Sequence, residues 1–388
     1  MWFLDAPTAL RLLAACGVWT ALTAAQQRFF PALRLNRWLV LVDLALIAWV
    51  SAGLAVFYAA YALITWGLCR AVHALRRRGA SPAVLRIAFV LCCLMCCVPF
   101  FYVRARELLV TLPLLFELTG IAYNMLKAVD GVYYTYYAEE APELVTYLNF
   151  MLFFPVITAG PILRYRDFRA AFDEPLPVSG AMLVVQIKRL IRGYFKKVVV
   201  LVFVSLLLTR LTELGPHLYV SLPVCAASYL LLWLDMSGYA DIAIAMGGCM
   251  GVPVAENFKH PLKAASFTQF WRNWHVSLTD WIREHIFVTL NGKRLNKYQG
   301  ALIGFGTMMV MALWHGMTRV FLLDGLLNGV LLAAENLLGL TTVNKRKVSK
   351  GYYFFRCAVV AALFAFDTIF YTLTPEQLST VVRGLIHL

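Results

Sequence analysis

The sequence predicts an all-α polytopic membrane protein, and three observations carry that prediction. Hydrophobic residues fill 61% of the 388 positions, and the mean hydropathy is +0.71. Charged residues make up 14%, where a soluble domain carries about 25%. The charge is also segregated, with basic clusters separating long apolar runs. Crossing ~30 Å of hydrocarbon takes about 20 helical residues, so the chain could supply on the order of ten helices and has little room for a separate soluble domain.

The first apolar run covers residues 12–25. The amino terminus, "MWFLDAPTALRLLAACGVW", lacks the basic n-region and clear cleavage site of a signal peptide, so this run reads as a retained first helix. Residues 38–69 hold 32 residues with Asp43 as their only charge. At ~1.5 Å per residue that is too long for one untilted span. Two spans turning near residues 51–53, or one helix leaving the membrane, would satisfy it. Further runs occupy residues 87–103, 108–125, 147–162, 198–208, 219–250, 301–314, 320–338 and 352–372, with no internal repeat or linker among them.

Two of these runs are interrupted. "FFPVITAGPILRYRDF", residues 153–168, carries Pro155, Gly160 and Pro161. "DMSGYADIAIAMGGCMGVPVAENFKHPL", from residue 235, brings Asp235, Gly238, Asp241, Gly247, Gly248, Pro253 and Pro261. Proline removes a helix donor and glycine loosens the backbone, so both segments are expected to bend or re-enter. Irregular backbone at membrane depth is tolerated only when buried in protein or lining a watery cavity, which places any cavity in the middle and second half.

The net charge of +14 would point to nucleic acid in a soluble protein; here the basic residues punctuate apolar runs. Arg76 to Arg78 with Arg70 and Arg86, and residues 188–197, 293–297 and 344–350, fit short cytoplasmic loops under the positive-inside bias. Docking of an acidic partner or anionic lipid is the second reading. The nine cysteines include "CCLMCC" at residues 92–97, inside an apolar run with no histidine or carboxylate nearby. They read as small buried hydrophobes rather than a metal or disulfide site.

"FWRNWHVSLTDWIREH", residues 270–285, is the polar exception. If residues 270–287 are helical, Trp271, Trp274, Leu278 and Trp281 form one apolar stripe and His275 sits beside it. The plain reading is an amphipathic helix lying flat at the membrane surface. In "MMVMALWHGMT", His315 ends an apolar run, where an imidazole is costly unless it is paired or faces water. It has the pKa for general-base work, though a histidine bonded to a neighbouring carbonyl would also fit. No His pair at i, i+4, no Glu-x-x-His, no phosphate loop and no Gly-x-Ser-x-Gly elbow is present, so no metal site is expected.

"FWRNWHVSLTDWIREHIF" and "LWHG", with the preceding "DMSGYADIAIAMGGCMGVPVAENF" and "AGPILRYRDF", resemble the bacterial membrane-bound O-acyltransferase family. Within it they resemble the branch of the alginate O-acetylase and the D-alanine transfer protein. The match is dense over residues 235–316 and extends back to residues 155–168. It implies about 10–12 transmembrane or re-entrant helices around a central tunnel or funnel in the bacterial cell membrane. One integral membrane acyltransferase domain would cover residues 1–388, with peripheral helices in 1–145, the catalytic core in 146–338 and a C-terminal helix in 339–388.

The activity implied is transfer of an acyl group, acetyl first, to hydroxyls of an exported cell-envelope polysaccharide. D-alanyl transfer to teichoic acid is the alternative, and a membrane transporter or channel is the alternative of another class. The histidine of the family's Trp-His-Gly motif is catalytic and maps onto His315, while that of Trp-x-x-Trp-His, here His275, lines the same site. His315 would take the proton of an attacking hydroxyl, and His275 would stabilise the oxyanion or orient the nucleophile. Asn273, Trp274, Trp314, Asp235 and Asp241 are candidate substrate-binding residues, and Lys293, Arg294 and Lys297 are candidates for donor docking. No bound cofactor is implied; the donor would be acetyl-CoA or an acyl-carrier thioester. Expected partners are membrane lipid, the donor or carrier protein on the cytoplasmic side, and the envelope glycan or a partner acyltransferase, with no nucleic acid.

Overall fold

A computed structural model of the chain describes residues 5–108, 120–288 and 296–386. The first apolar run starts at a cap: Asp5 accepts the Thr8 N–H at 3.1 Å, and Pro7 sits in the first turn of helix α1 (Ala6–Phe29). Residues 38–69 divide near the expected turn. Ser51 ends α2 (Leu39–Val50) and caps α3 (Ala52–Arg77) by accepting the Leu54 N–H at 3.3 Å. Then come α4 (Pro82–Leu108), α5 (Ile121–Ala138), α6 (Leu144–Leu152), α7 (Tyr165–Asp173), α8 (Gly180–Tyr194), α9 (Leu201–Thr212) and α10 (Leu218–Cys249). The short α11 (Phe267–Trp271) and α12 (Val276–Ile282) precede α13 (Lys297–His315), α14 (Arg319–Leu337), α15 (Lys350–Thr372) and α16 (Pro375–Ile386). Among the described residues, the six helices α1, α3, α4, α10, α14 and α15 are long and apolar enough to cross a membrane. The apolar α2, α6 and α9 are shorter. The chain is an all-α polytopic membrane protein, and its contacts fall into two compact units, one of Met1–Ile191 with Asp241–Ala255 and one of Arg192–Ala240 with Glu256–Leu388.

In the first unit the proline-interrupted segment is irregular, as expected, and it is buried. Its backbone groups, which helix would otherwise pair, are bonded by polar side chains of α2 and α5. Phe154 N–H donates to Asp43 at 3.3 Å, Lys127 Nζ donates to Met151 O at 2.7 Å, and Asn124 Nδ2 donates to Ile157 O at 2.8 Å. Asp130 accepts the Tyr165 N–H and pairs with Arg164, which fixes the start of α7. Such partners make non-helical backbone affordable at membrane depth. Around them Tyr147, Phe150, Phe153 and Phe168 form an almost fully buried aromatic core.

The second interruption does not fall where expected. Asp235, Gly238, Asp241, Gly247 and Gly248 all lie within the unbroken α10, and the helix ends only after Cys249. Gly238 serves close approach rather than a bend: a Cβ there would meet Lys197 Cγ at 2.6 Å and Gly193 O at 3.1 Å. The basic stretch 188–197 is likewise helical, not a loop, running through α8 into a π-helical turn, Phe195–Val200, and on into α9. Two of its cations are ion-paired, Arg189 with Asp241 at 3.0 Å and Lys197 with Asp235 at 2.6 Å.

Helices α13 and α14 form a close antiparallel hairpin, written in the sequence as Gly300-x-x-x-Gly304 and Gly325-x-x-x-Gly329. A Cβ on Gly325 would meet Ala312 Cβ at 2.8 Å, and one on Gly329 would meet the Phe305 ring at 2.8 Å. Small residues at this spacing let backbones approach where lipid gives no hydrophobic drive for association. We expect Gly325→Val to force the hairpin apart and cost about 1–3 kcal/mol. Gly306→Ala, whose Cβ would meet nothing within 4 Å, should hold or raise the melting temperature in detergent. Equal melting of the two variants would contradict this packing.

Candidate functional site

His315 is the last residue of α13, so the glycine-packed hairpin sets its position. Its ring lies 4.8 Å from Trp314 and 6.2 Å from Phe321 near the start of α14, nearly parallel to the latter at 14°. Gly316 is needed beside it because a Cβ there would lie 2.3 Å from the Phe321 ring. The Trp-His-Gly string therefore has a packing reason for each member: tryptophan buried, imidazole half-buried, glycine under an aromatic ring.

The opening segment of the Trp-x-x-Trp-His motif is not one helix. It breaks between α11 and α12, and His275 takes a left-handed conformation with φ 47° and ψ 48°. Tertiary hydrogen bonds overrule the local periodicity here. Lys259 N–H donates to Asn273 O at 2.9 Å and Val276 N–H to Asn257 O at 3.0 Å, an isolated antiparallel bridge around Phe258 and Trp274. Nor does the segment lie flat on a surface, since Trp274 and Trp281 are only 3% and 7% exposed. A left-handed non-glycine residue costs about 1–3 kcal/mol and persists only where its surroundings over-determine it, commonly at functional sites.

His275 is 2% exposed, and its ring centroid lies 6.4 Å from that of Trp314. Its Nδ1 sits 3.3 Å from Asn257 Oδ1, which also accepts the Ser277 N–H at 3.1 Å and the Ser277 hydroxyl at 2.8 Å. A backbone N–H can only donate, so that atom is the amide oxygen and Nδ1 is the protonated nitrogen of His275. The other nitrogen, Nε2, is buried with a free lone pair and no partner among the described residues. Burial foremost, and then the charge of His315, push the His275 imidazole down to about 3, so it stays neutral at physiological pH.

The other candidates divide. The Trp314 ring is near both histidines, 6.4 Å from the His275 ring and 4.8 Å from the His315 ring. Trp274 is taken up by an aromatic cluster, stacked on Phe270 and edge-on to Phe258 and Phe364. Asn273 works through its backbone carbonyl. Asp235 and Asp241 are engaged by Lys197 and Arg189. Lys293 and Arg294 lie outside the described residues, and Lys297 is exposed at the first turn of α13, beside an Asn296–Gln299 capping box. No group of three His, Cys, Asp or Glu side chains that could hold a metal occurs among the described residues.

Three residues that shape the site escaped the sequence reading. Asn257 lay in the quoted "ENF" string, and Ser277 two residues beyond His275, but only their convergence reveals the clamp. Glu335 gave no local signal: from α14 it accepts the Phe267 and Thr268 N–H groups at 2.6 and 2.8 Å, anchoring the start of the α11 segment.

Fold and site define a multi-pass membrane protein in which a buried histidine, His275, and a half-buried one, His315, lie near the same tryptophan ring. The family model of the membrane-bound O-acyltransferases (MBOAT) matches residues 37–366, and the chain belongs to that family. A probable alginate O-acetylase of Pseudomonas syringae pv. tomato is 31% identical over 231 residues, 58% of this chain and 43% of that protein. A teichoic acid D-alanyltransferase of Streptococcus thermophilus is 30% identical over 265 residues, 61% of each chain. A peptidoglycan O-acetyltransferase of Helicobacter pylori is 27% identical over 264 residues, 63% of this chain and 47% of that protein. The chain spans about half the length of the curated relatives it matches.

The clamp has a pH signature. An unfolded chain takes up the His275 proton near 6.5, whereas the folded chain refuses it until about 3. The unfolded state thus binds more protons below 6.5, so this burial contributes stability above that pH and loses it as pH falls toward about 3. Melting in detergent between about pH 8 and about pH 4 should show a shallower acid loss in His275→Gln than in the parent protein. Identical slopes would mean that His275 is not buried neutral.

Proposed function

We propose that the chain transfers an acyl group, acetyl in the leading reading, from a thioester donor to hydroxyls of an exported cell-envelope polysaccharide. The observation that carries this is that buried His275 and half-buried His315 both lie near the Trp314 ring in a member of the membrane-bound O-acyltransferase family. The O-acetylases among the relatives support acetyl and glycan; the D-alanyltransferases support D-alanyl transfer to teichoic acid as the second reading. Family membership removes the reason for a transporter or channel.

In the proposed mechanism His315 takes the acceptor hydroxyl proton as the oxygen attacks the thioester carbonyl, then returns it to the departing thiolate. His275, whose Nδ1–H is committed to Asn257, has only an acceptor to offer at Nε2. That favours orienting the attacking hydroxyl over stabilising the oxyanion, which would need a donor. The tunnel or funnel around the two histidines belongs to the same proposal.

Donor docking at Lys293, Arg294 and Lys297 would use either coenzyme A phosphates or the acidic face of a carrier. The 19 residues of α13 separate Lys297 from His315 by about 27 Å at 1.5 Å per residue, so a donor held there must present its acyl group on an extended arm. Positive-inside anchoring is the competing role of these cations.

Purified protein in lipid, assayed with acetyl-CoA, an acetylated carrier or a D-alanylated carrier against an envelope glycan, tests donor and acceptor together. His315→Ala should lower acyl transfer about 10²- to 10⁴-fold while the protein stays folded in the membrane, and near-normal transfer would remove His315 from the mechanism. Changing Lys293, Arg294 and Lys297 together to Gln should raise the donor KM and weaken its salt dependence. Unchanged donor kinetics with altered topology would leave these residues as anchors only.

A further inference from the structure

The start of α1 and the end of α2 enclose a cleft that the mechanism above does not use. It holds about 240 Å³ and is lined by Thr8, Arg11, Leu12, Leu46, Trp49 and Val50. Leu12 and Leu46 are buried, whereas Trp49 is 61% exposed. The Arg11 guanidinium lies over the Trp49 ring, 4.3 Å from its centroid. That contact gives the guanidinium no acceptor atom, and its N–H donors stay available. Among the described residues Arg11 makes no hydrogen bond and no ion pair. Asp5 lies within the field of its charge, but that carboxylate is engaged by the Thr8 N–H and hydroxyl at 3.1 and 2.5 Å.

The depth of Arg11 says what surrounds it. Helix α1 has 24 residues, about 36 Å at 1.5 Å per residue, and Arg11 stands about 7.5 Å from its start. With ~30 Å of hydrocarbon to cross, that position falls at the border between lipid headgroups and chains. A cation without a partner is costly there, and a flexible arginine beside an interfacial tryptophan turns toward phosphate.

We propose that this cleft binds an anionic phospholipid, its phosphate held by the Arg11 guanidinium and the head of an acyl chain against Leu12, Leu46 and Val50. Three features set this class of ligand. The planar guanidinium fork matches two phosphate oxygens at once. No carboxylate lines the cleft to pair with the ammonium of a zwitterionic headgroup. The volume also falls short of the ~300–1,000 Å³ that encloses a drug-sized ligand, so the occupant extends out into the bilayer. Every lining residue belongs to α1 or α2, and the site is independent of the reading of acyl transfer. A lipid bound there joins the two helices and shows itself as stability.

The test is melting of the purified full chain in a maltoside detergent, with phosphatidylglycerol, phosphatidylcholine or inorganic phosphate added. Phosphatidylglycerol should raise the melting temperature of the parent protein by about 2 °C or more, and each of the others by less than half as much. Arg11→Gln should remove most of that gain. Arg11→Lys, which keeps the charge without the fork, and Trp49→Leu, which takes away the ring beneath it, should each retain only part. Arg86→Gln removes an exposed cation on α4 and should keep the full gain. No gain in the parent, an equal gain from phosphatidylcholine or inorganic phosphate, or an undiminished gain in Arg11→Gln would overturn the proposal. A loss in Arg86→Gln as large as in Arg11→Gln would overturn it too, since it would reduce the effect to diffuse attraction. Melting without lipid identifies a variant that fails to fold; if Arg11→Gln does, Arg11→Lys and Trp49→Leu decide, and full gains in both overturn the proposal.

Discussion

In hydrocarbon a backbone N–H or C=O without a partner costs several kcal/mol, so a chain that leaves the helix at membrane depth must bring its own hydrogen-bond partners. The two irregular stretches that organise this protein are both largely buried and meet the same demand. Where residues 153–164 leave the helix, Asp43, Asn124 and Lys127 supply donors and acceptors from α2 and α5. Where residues 272–275 leave it, Asn257 and the backbone of residues 257–259 do the same. Buried polar residues that look like expensive exceptions in an apolar sequence are thus what permits the chain to be irregular.

The second of these stretches also carries the proposed site, and the connection is physical. Releasing His275 from a helix into a left-handed conformation lets its Nδ1 reach Asn257 and turns its other nitrogen toward the protein interior. The same clamp fixes the tautomer, and with it the kind of hydrogen bond that His275 can make. His315 is placed by different means, at the end of a hairpin whose glycines bring two helices together. One imidazole is therefore held by a polar network and the other by packing, and Trp314 is the group they share.

Membership in the membrane-bound O-acyltransferases joins this geometry to a class of chemistry, and the relatives differ among themselves in the acyl group and in the acceptor. In the proposed mechanism the two histidines act alike on an acetyl or a D-alanyl thioester, because a general base and an oriented hydroxyl serve either. Selection between them must come from groups that contact the acyl chain or dock its carrier.

By itself the sequence determined the solvent of the fold, its helical class, the irregular backbone after Phe153, and the two histidine motifs. Each is a local property: hydropathy sums over a window, proline and glycine act on their own backbone, and a motif is contiguous. Only the tertiary structure decided that α10 runs unbroken past Gly238, that the 188–197 cations sit on helices with Arg189 and Lys197 in ion pairs, and that residues 270–285 break into two short helices. In each case the deciding partner is distant in the chain: Lys197 lies 41 residues before Gly238, Asp241 lies 52 after Arg189, and Glu335 reaches back 67 to Thr268. A sequence window registers the cost of a buried charge or a broken helix, but the group that offsets it is known only once the chain has folded.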